Sequence, residues 1–180
     1  MIFVLTGEGK GKTTSAIGMG IRAIGAGRKV LMVQFLKFPT SEAKILANLD
    51  NFVLRTFGER GFVVPKEILE KEKDFKGLRE ISEKDRELAR EGFALAREWA
   101  EEGKCDFLIL DELTWAINLS LLDKKEVLDF LKKFAGKIDI VITGRNCPEE
   151  ILQIADLITE MRMIRHPYQK GIGPRKGIEY

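Results

Sequence analysis

The sequence predicts an α/β fold, a single three-layer α/β/α domain over residues 1–180 with a mostly parallel sheet between helices. Three observations carry that expectation. Apolar runs of strand length alternate with longer stretches of helical periodicity. A glycine-rich loop joins the first run to the first helical stretch, and a later apolar run ends in two adjacent carboxylates. A chain of 180 residues is long enough for one well-buried domain, and no internal repeat or low-complexity linker divides it.

The elements follow in order. Ile2–Thr6 is a fully apolar run before glycines and reads as a buried parallel strand. A helix is expected from Lys12 to about Arg28, stopped by Gly25 and Gly27. Residues 29–36, with Val30, Leu31, Met32 and Val33 apolar on both faces, form the second strand. A short helix over 41–49 and a third strand over 52–57 come next. Residues 58–81 are irregular, with glycines at 58, 61 and 77, Pro65 and a dense Lys/Glu run over 66–76, and they read as a functional loop holding a short helix. Residues 82–103 make the clearest helix, capped by Ser82, with Leu88, Gly92, Leu95, Ala96 and Trp99 on one stripe. A strand over 106–110 then leads into Asp111-Glu112. Asp123 with Glu126 opens a helix through Phe134, and 138–142 is a strand. Pro148 opens a short helix in its first position, and 157–161 is the last core strand, with Met161 and Met163 on one face.

Composition excludes several functions. The net charge of +2 supplies no basic field for nucleic acid or anionic membrane. The longest apolar stretches, near 30–36 and 107–110, are far too short to span a bilayer. Met1 runs straight into the first strand with no basic region or cleavage site, so a cytoplasmic protein is expected. Cys105 and Cys147 stand far apart with no Cys-x-x-Cys spacing, which fits a reducing compartment better than a disulfide or zinc framework. Charged residues make up 32% of the chain, a share that leans towards thermophily.

Gly7-Glu8-Gly9-Lys10-Gly11-Lys12-Thr13-Thr14 lies where a phosphate cradle must lie, between strand and helix. Glycines let successive N–H groups face one concavity, and the helix N-terminus adds its positive end. Lys12 supplies a mobile charge for the outer phosphates, and the Thr13 hydroxyl is placed for Mg²⁺. This is a P-loop, read as G-x-x-x-G-K-T and one residue shorter than the usual form, so the nucleotide is expected to be held unusually. At the second acidic element, Asp111-Glu112, a carboxylate completes or supports the metal coordination, with Mn²⁺ as an alternative to Mg²⁺. The same pair would suit an ATPase, which keeps a hydrolase or regulatory nucleotide-binding module open. A small-molecule kinase is a third reading, although no Arg-rich lid stands between 148 and 161.

With these motifs in hand, the chain resembles the ATP:corrinoid adenosyltransferase family. Leu110-Asp111-Glu112-Leu113, Val33-Gln34-Phe35-Leu36-Lys37, Ile142-Thr143-Gly144-Arg145 and Ala155-Asp156-Leu157-Ile158-Thr159-Glu160-Met161 carry the likeness. The ending, Arg165-His166-Pro167-Tyr168 with Gly171-Ile172 and Gly177-Ile178-Glu179-Tyr180, fits as well. The resemblance implies a homodimer that binds MgATP in a reversed sense. The cobalt of a reduced corrinoid then attacks C5′ of the ribose and expels triphosphate, with a flavoprotein reductant as a further expected partner. Carried over by position, residues 7–14 hold the triphosphate, Thr13 and Glu112 ligate the metal, and Arg145 joins Lys10 and Lys12 on the phosphates. No general base is required, because the nucleophile is the cofactor's own chemistry. Two departures stand out. Family members can carry an extension before the first strand, whereas here the strand follows Met1. Gly61-Phe62-Val63-Val64 is the nearest match to a Gly-Phe-x-Trp segment whose aromatics displace cobalt's lower axial ligand, with Val64 at the Trp position. Phe62 and Val64 are the corrinoid-side candidates.

The other conspicuous residues have plainer expectations. His166 is a surface or supporting residue, Trp99 and Trp115 are core, and Arg162, Arg165, Lys170, Arg175 and Lys176 make the tail basic.

Overall fold

The computed structural model describes residues 1–71, 77–167, 171–173, 175, 177 and 178. In chain order the elements are β1 (Ile2–Thr6), α1 (Lys12–Gly25), β2 (Val30–Phe35), α2 (Ala43–Leu46), β3 (Phe52–Phe57), β4 (Phe62–Val63), α3 (Lys66–Lys71) and β5 (Leu78–Arg79). They continue with α4 (Glu83–Glu101), β6 (Phe107–Asp111), α5 (Leu113–Asn118), α6 (Lys124–Phe134), β7 (Asp139–Thr143), α7 (Glu149–Leu152) and β8 (Leu157–Glu160). Six strands form one sheet in the order β3-β2-β6-β7-β1-β8, and every pairing in it is parallel.

Parallel strands covered on both faces must be apolar on both faces, and β2 and β6 are buried at every position. Alternation then divides the core in two. Val30, Met32, Phe107, Ile109 and Val141 pack against Ala16 and Ala23 of α1. Leu31, Val33, Phe35, Leu108, Leu110, Ile140 and Ile142 face α4, α5 and α6 on the other side.

The fold departs from the sequence expectations at four places. The buried stripe of α4 is Ala89, Gly92, Phe93, Ala96 and Ala100, while Leu88, Leu95 and Trp99 flank it half-buried. Small residues let the helix lie close on β2 and β3, and a bulky stripe would hold it off. The strand at β8 is an edge, paired only to β1 and exposed at all four positions, so it is not a core strand, and Met163 lies beyond it. Pro148 is the N-cap of α7 rather than its first residue. The six-residue helix α5 follows β6 directly, where the sequence predicts no helix.

Residues 58–81 contain the expected helix, α3, and also a two-stranded parallel ribbon of β4 and β5. Residues 72–76 of the Lys/Glu run fall outside the described residues. Within the ribbon Val63 is buried in the main core, whereas Phe62 is 63% exposed. The ribbon is clamped to α4 by Arg79, which donates two hydrogen bonds to Asp85, each 2.6 Å long. Asp85 also closes a capping box with Ser82, the cap that the sequence predicts. Such a cap contributes about 1 kcal/mol. Among the described residues no helix is long and apolar enough to cross a membrane.

Candidate functional site

The period-two rule places the polar strand ends. Gln34, Asp111 and Thr143 occupy the α1 side of β2, β6 and β7, in phase with Met32, Ile109 and Val141. Gln34 and Asp111 are Cα partners on the last rung between their strands. All three sit at the carboxyl end of the sheet, where α/β proteins bind ligands, beside the loop that leaves β1. Each is fully buried.

Asp111 is the hub. Its Oδ1 accepts from the hydroxyls of Thr13 at 2.9 Å and Thr143 at 2.7 Å. Its Oδ2 accepts from the Gln34 amide at 3.0 Å and the Lys37 ammonium at 2.6 Å. Burial alone would raise this carboxyl, but Lys37 and the hydroxyl donors outweigh it and hold Asp111 below the ordinary carboxylate range. Lys37 also donates to Thr13 Oγ1 at 2.8 Å. Burial works against its charge, yet Asp111 and Glu112 keep its pKa above the usual lysine value.

Glu112 behaves oppositely. It begins α5 in the left-handed region, φ 61°, which is uncommon for a residue with a side chain and points to a positional requirement. Its N–H donates to Thr143 Oγ1 at 3.0 Å, but its carboxylate has no hydrogen bond or ion pair among the described residues. Burial pushes its pKa up. An under-partnered carboxylate one residue from a saturated one is suited to take a cation.

The phosphate loop is closed on itself. Lys12, only 8% exposed, donates to the Gly7 carbonyl at 2.6 Å and the Gly9 carbonyl at 2.9 Å. Burial lowers its pKa. Gly9 donates to the Met161 carbonyl at 2.6 Å where the chain leaves β8, and a Cβ on Gly9 would meet that same oxygen at 2.6 Å. Glycine is required there by the crossing chain. No side chain caps α1, so the amides of its first turn are left for an anion.

The remaining predicted site residues scatter around this centre. Lys10 reaches away from the loop and donates to the Ile178 carbonyl at 2.6 Å. Glu8 pairs with Arg145 at 3.1 Å, both more than half exposed, which contributes little to stability and leaves Arg145 at the rim. Thr14 is exposed on the first turn of α1. Phe62 lies in the ribbon and Val64 just after β4, its N–H donating to the Arg79 carbonyl at 3.1 Å; neither belongs to the hydrogen-bonded centre. His166 is half-buried in the C-terminal segment, while Tyr168, Lys170, Lys176, Glu179 and Tyr180 fall outside the described residues.

Gln34, Lys37 and Thr143 have no role in the sequence reading, although two of the family-like stretches contain them. The available signal was a polar residue ending an otherwise apolar strand, in phase with Asp111. For a divalent cation the residues fit: Thr13 offers hydroxyl lone pairs and Glu112 a carboxylate. Among the described residues no group of three or more His, Cys, Asp or Glu gathers to hold a metal, so nucleotide oxygens would have to complete its shell.

Comparison with known proteins gives one consistent result. Residues 1–180 match the family described as ATP:corrinoid adenosyltransferase BtuR/CobO/CobP. The corrinoid adenosyltransferase of Escherichia coli K12 is 32% identical over 184 residues, covering 100% of this chain and 85% of that protein. A Sinorhizobium corrinoid adenosyltransferase is 34% identical over 185 residues, covering 100% of this chain and 80% of its own length. The corrinoid adenosyltransferase CobA of Salmonella typhimurium is 32% identical over 184 residues, with 100% and 85% covered.

Proposed function

The chain belongs to the ATP:corrinoid adenosyltransferase family, and from that premise we propose that it transfers the 5′-deoxyadenosyl group of ATP to the cobalt of a reduced corrinoid, releasing inorganic triphosphate. The observation that carries this reading is the full-length match, joined to a phosphate loop and an acidic pair at one end of the sheet.

In this reading ATP enters with its triphosphate over the loop of residues 7–14. Phosphate oxygens take the Lys12 ammonium from the Gly7 and Gly9 carbonyls, and the uncapped amides of α1 hold the anion. Lys10 and Arg145 at the rim add positive charge. A Mg²⁺ or Mn²⁺ ion held by Thr13 and Glu112 would neutralise charge as triphosphate leaves. Asp111 keeps the proton of the Thr13 hydroxyl turned inward, so the oxygen presents only lone pairs, against which Lys37 lies in the nucleotide-free chain. The cobalt–carbon bond forms with the electron pair of Co(I) as the C5′–oxygen bond breaks. The protein's task is therefore to align and to neutralise, with no proton transfer. Phe62 and Val64 approach the corrinoid from the ribbon. A homodimer, a cytoplasmic location and a flavoprotein reductant complete the reading.

The test is the product formed from ATP and chemically reduced cob(I)alamin. Stoichiometric triphosphate and adenosylcobalamin are expected. ADP with phosphate would make the protein an ATPase, and a phosphorylated small molecule a kinase.

A further inference from the structure

We propose that the Lys37 ammonium is a built-in stand-in for the divalent cation, holding its place against Thr13 and Asp111 until the metal–nucleotide enters and displaces it. The proposal rests on the reading of Thr13 and Glu112 as the metal's protein ligands.

The hydroxyl of Thr13 has one proton, and Asp111 takes it at 2.9 Å. Only lone pairs remain, and Lys37 lies against them at 2.8 Å. A Mg²⁺ ion on the same oxygen, at its ordinary distance of about 2.0–2.1 Å, would stand within a few ångströms of the ammonium. Two cations so close on one hydroxyl repel strongly, so one must yield.

Asp111 explains why a cation is needed there beforehand. All four of its hydrogen-bonding directions are filled, and Lys37 is the only charged group among the donors. A wholly buried carboxylate left without a countercharge is costly. Among the described residues too few ligands gather to hold a metal tightly, so the cation binds weakly until the nucleotide brings further oxygens. In the interval Lys37 balances the charge.

Its placement is over-determined. The chain leaves β2 through Leu36 at φ 57°, a left-handed position unusual for leucine, fixed by the Leu36 N–H donating to the Phe57 carbonyl at 2.8 Å. A Cβ on Gly58 would lie 2.4 Å from the Lys37 backbone nitrogen, so only glycine lets the two turns lie together. The strained turn brings Lys37 back to the α1 side of the sheet.

A second, independent observation points to another occupant. The Gln34 side-chain oxygen is wholly buried and has no hydrogen-bond partner among the described residues, although its amide nitrogen is engaged by Asp111. Such an acceptor is rare in a finished arrangement. A donor brought in with the metal–nucleotide, or the ammonium once it has moved, would satisfy it. Lys37 is then free to meet the triphosphate as a further cation beside Lys12.

The experiment measures binding of Mn²⁺ alone, by paramagnetic resonance, to nucleotide-free protein, together with the melting temperature with and without Mg²⁺. Lys37→Met should bind Mn²⁺ about tenfold or more tightly than the native chain. Its melting temperature should be lower without metal and rise further on adding Mg²⁺. Lys37→Arg, which keeps the charge, should bind as weakly as the native chain. Equal Mn²⁺ affinity in native and folded Lys37→Met protein would overturn the proposal. So would a Lys37→Met chain that stays unfolded at every Mg²⁺ concentration, since the metal would then be no substitute for the ammonium. Adding Glu112→Gln to Lys37→Met should remove the gain. A gain that survives would instead move the metal off Glu112 and overturn the site assignment, leaving the displacement of Lys37 intact.

Discussion

Lys12 spends its hydrogen bonds on two carbonyls of its own loop, so phosphate has to replace both before the residue can act. Its value in catalysis is the difference between those bonds and the ones it makes to a leaving triphosphate. Lys12→Ala should therefore keep the fold while lowering kcat/KM for ATP severely. Loss of one charge-assisted contact alone accounts for about 1.5–3 kcal/mol, and an unchanged kcat/KM in the folded variant would place Lys12 outside the reaction. Glu112→Gln tests its neighbour. The amide keeps the shape but loses a hard anionic ligand, so the Mg²⁺ concentration for half-maximal rate should rise more than the KM for ATP. An unaltered Mg²⁺ dependence would shift the ligand to Asp111 or to neither carboxylate. Lys12, Thr13 and Glu112 were legible because their signals are contiguous in sequence. Gln34, Lys37 and Thr143 were not assigned roles, because three separate strands and an unusual turn bring them together.

Elements were legible where burial follows one period. The buried strands and the caps at Ser82 and Asp123 appear as the sequence predicts. The misreadings arise where position in the sheet decides. β8 is as apolar at Leu157 and Ile158 as an inner strand, but it is the last in the order and stays exposed. The two-residue strands of the ribbon are too short to show a period. That ribbon nonetheless sorts its own candidates: Val63 anchors it to the core, and Phe62 does not. Cobalt must lose its lower axial ligand before reduction to Co(I), and an apolar side chain beneath the ring can exclude that ligand by filling and drying its space. Phe62→Ala should impair the reaction begun from cob(II)alamin while largely sparing it when cob(I)alamin is supplied, with little change in melting temperature. Equal losses in both assays with a lowered melting temperature would leave Phe62 as packing.

Across the whole molecule, paired carboxyls inside and outside the site set how the fold responds to acid. Asp85, Asp111 and Asp139 are tied to Arg79, to Lys37, and to Arg28 with the N-terminus. In each, burial would raise the carboxyl, but its partners prevail and hold it below the ordinary value. A depressed carboxyl stabilises the fold fully above its unfolded pKa, near 3.9, and that stability is lost as pH falls through the lower folded value. Glu112 has the opposite sign, since burial raises its pKa in the fold. Its ionised form therefore costs stability at neutral pH, and protonation relieves that cost as pH falls towards about 4.3. The nucleotide- and metal-free protein should thus gain a little stability on mild acidification and then lose it steeply below about pH 4. Urea midpoints measured across this range test both limbs. Glu112→Gln should flatten the rise and leave the fall. If the native chain declines steadily from neutral pH with no rise, the Glu112 carboxylate is not under strain in the free protein, and the case for its being poised for a cation weakens with it.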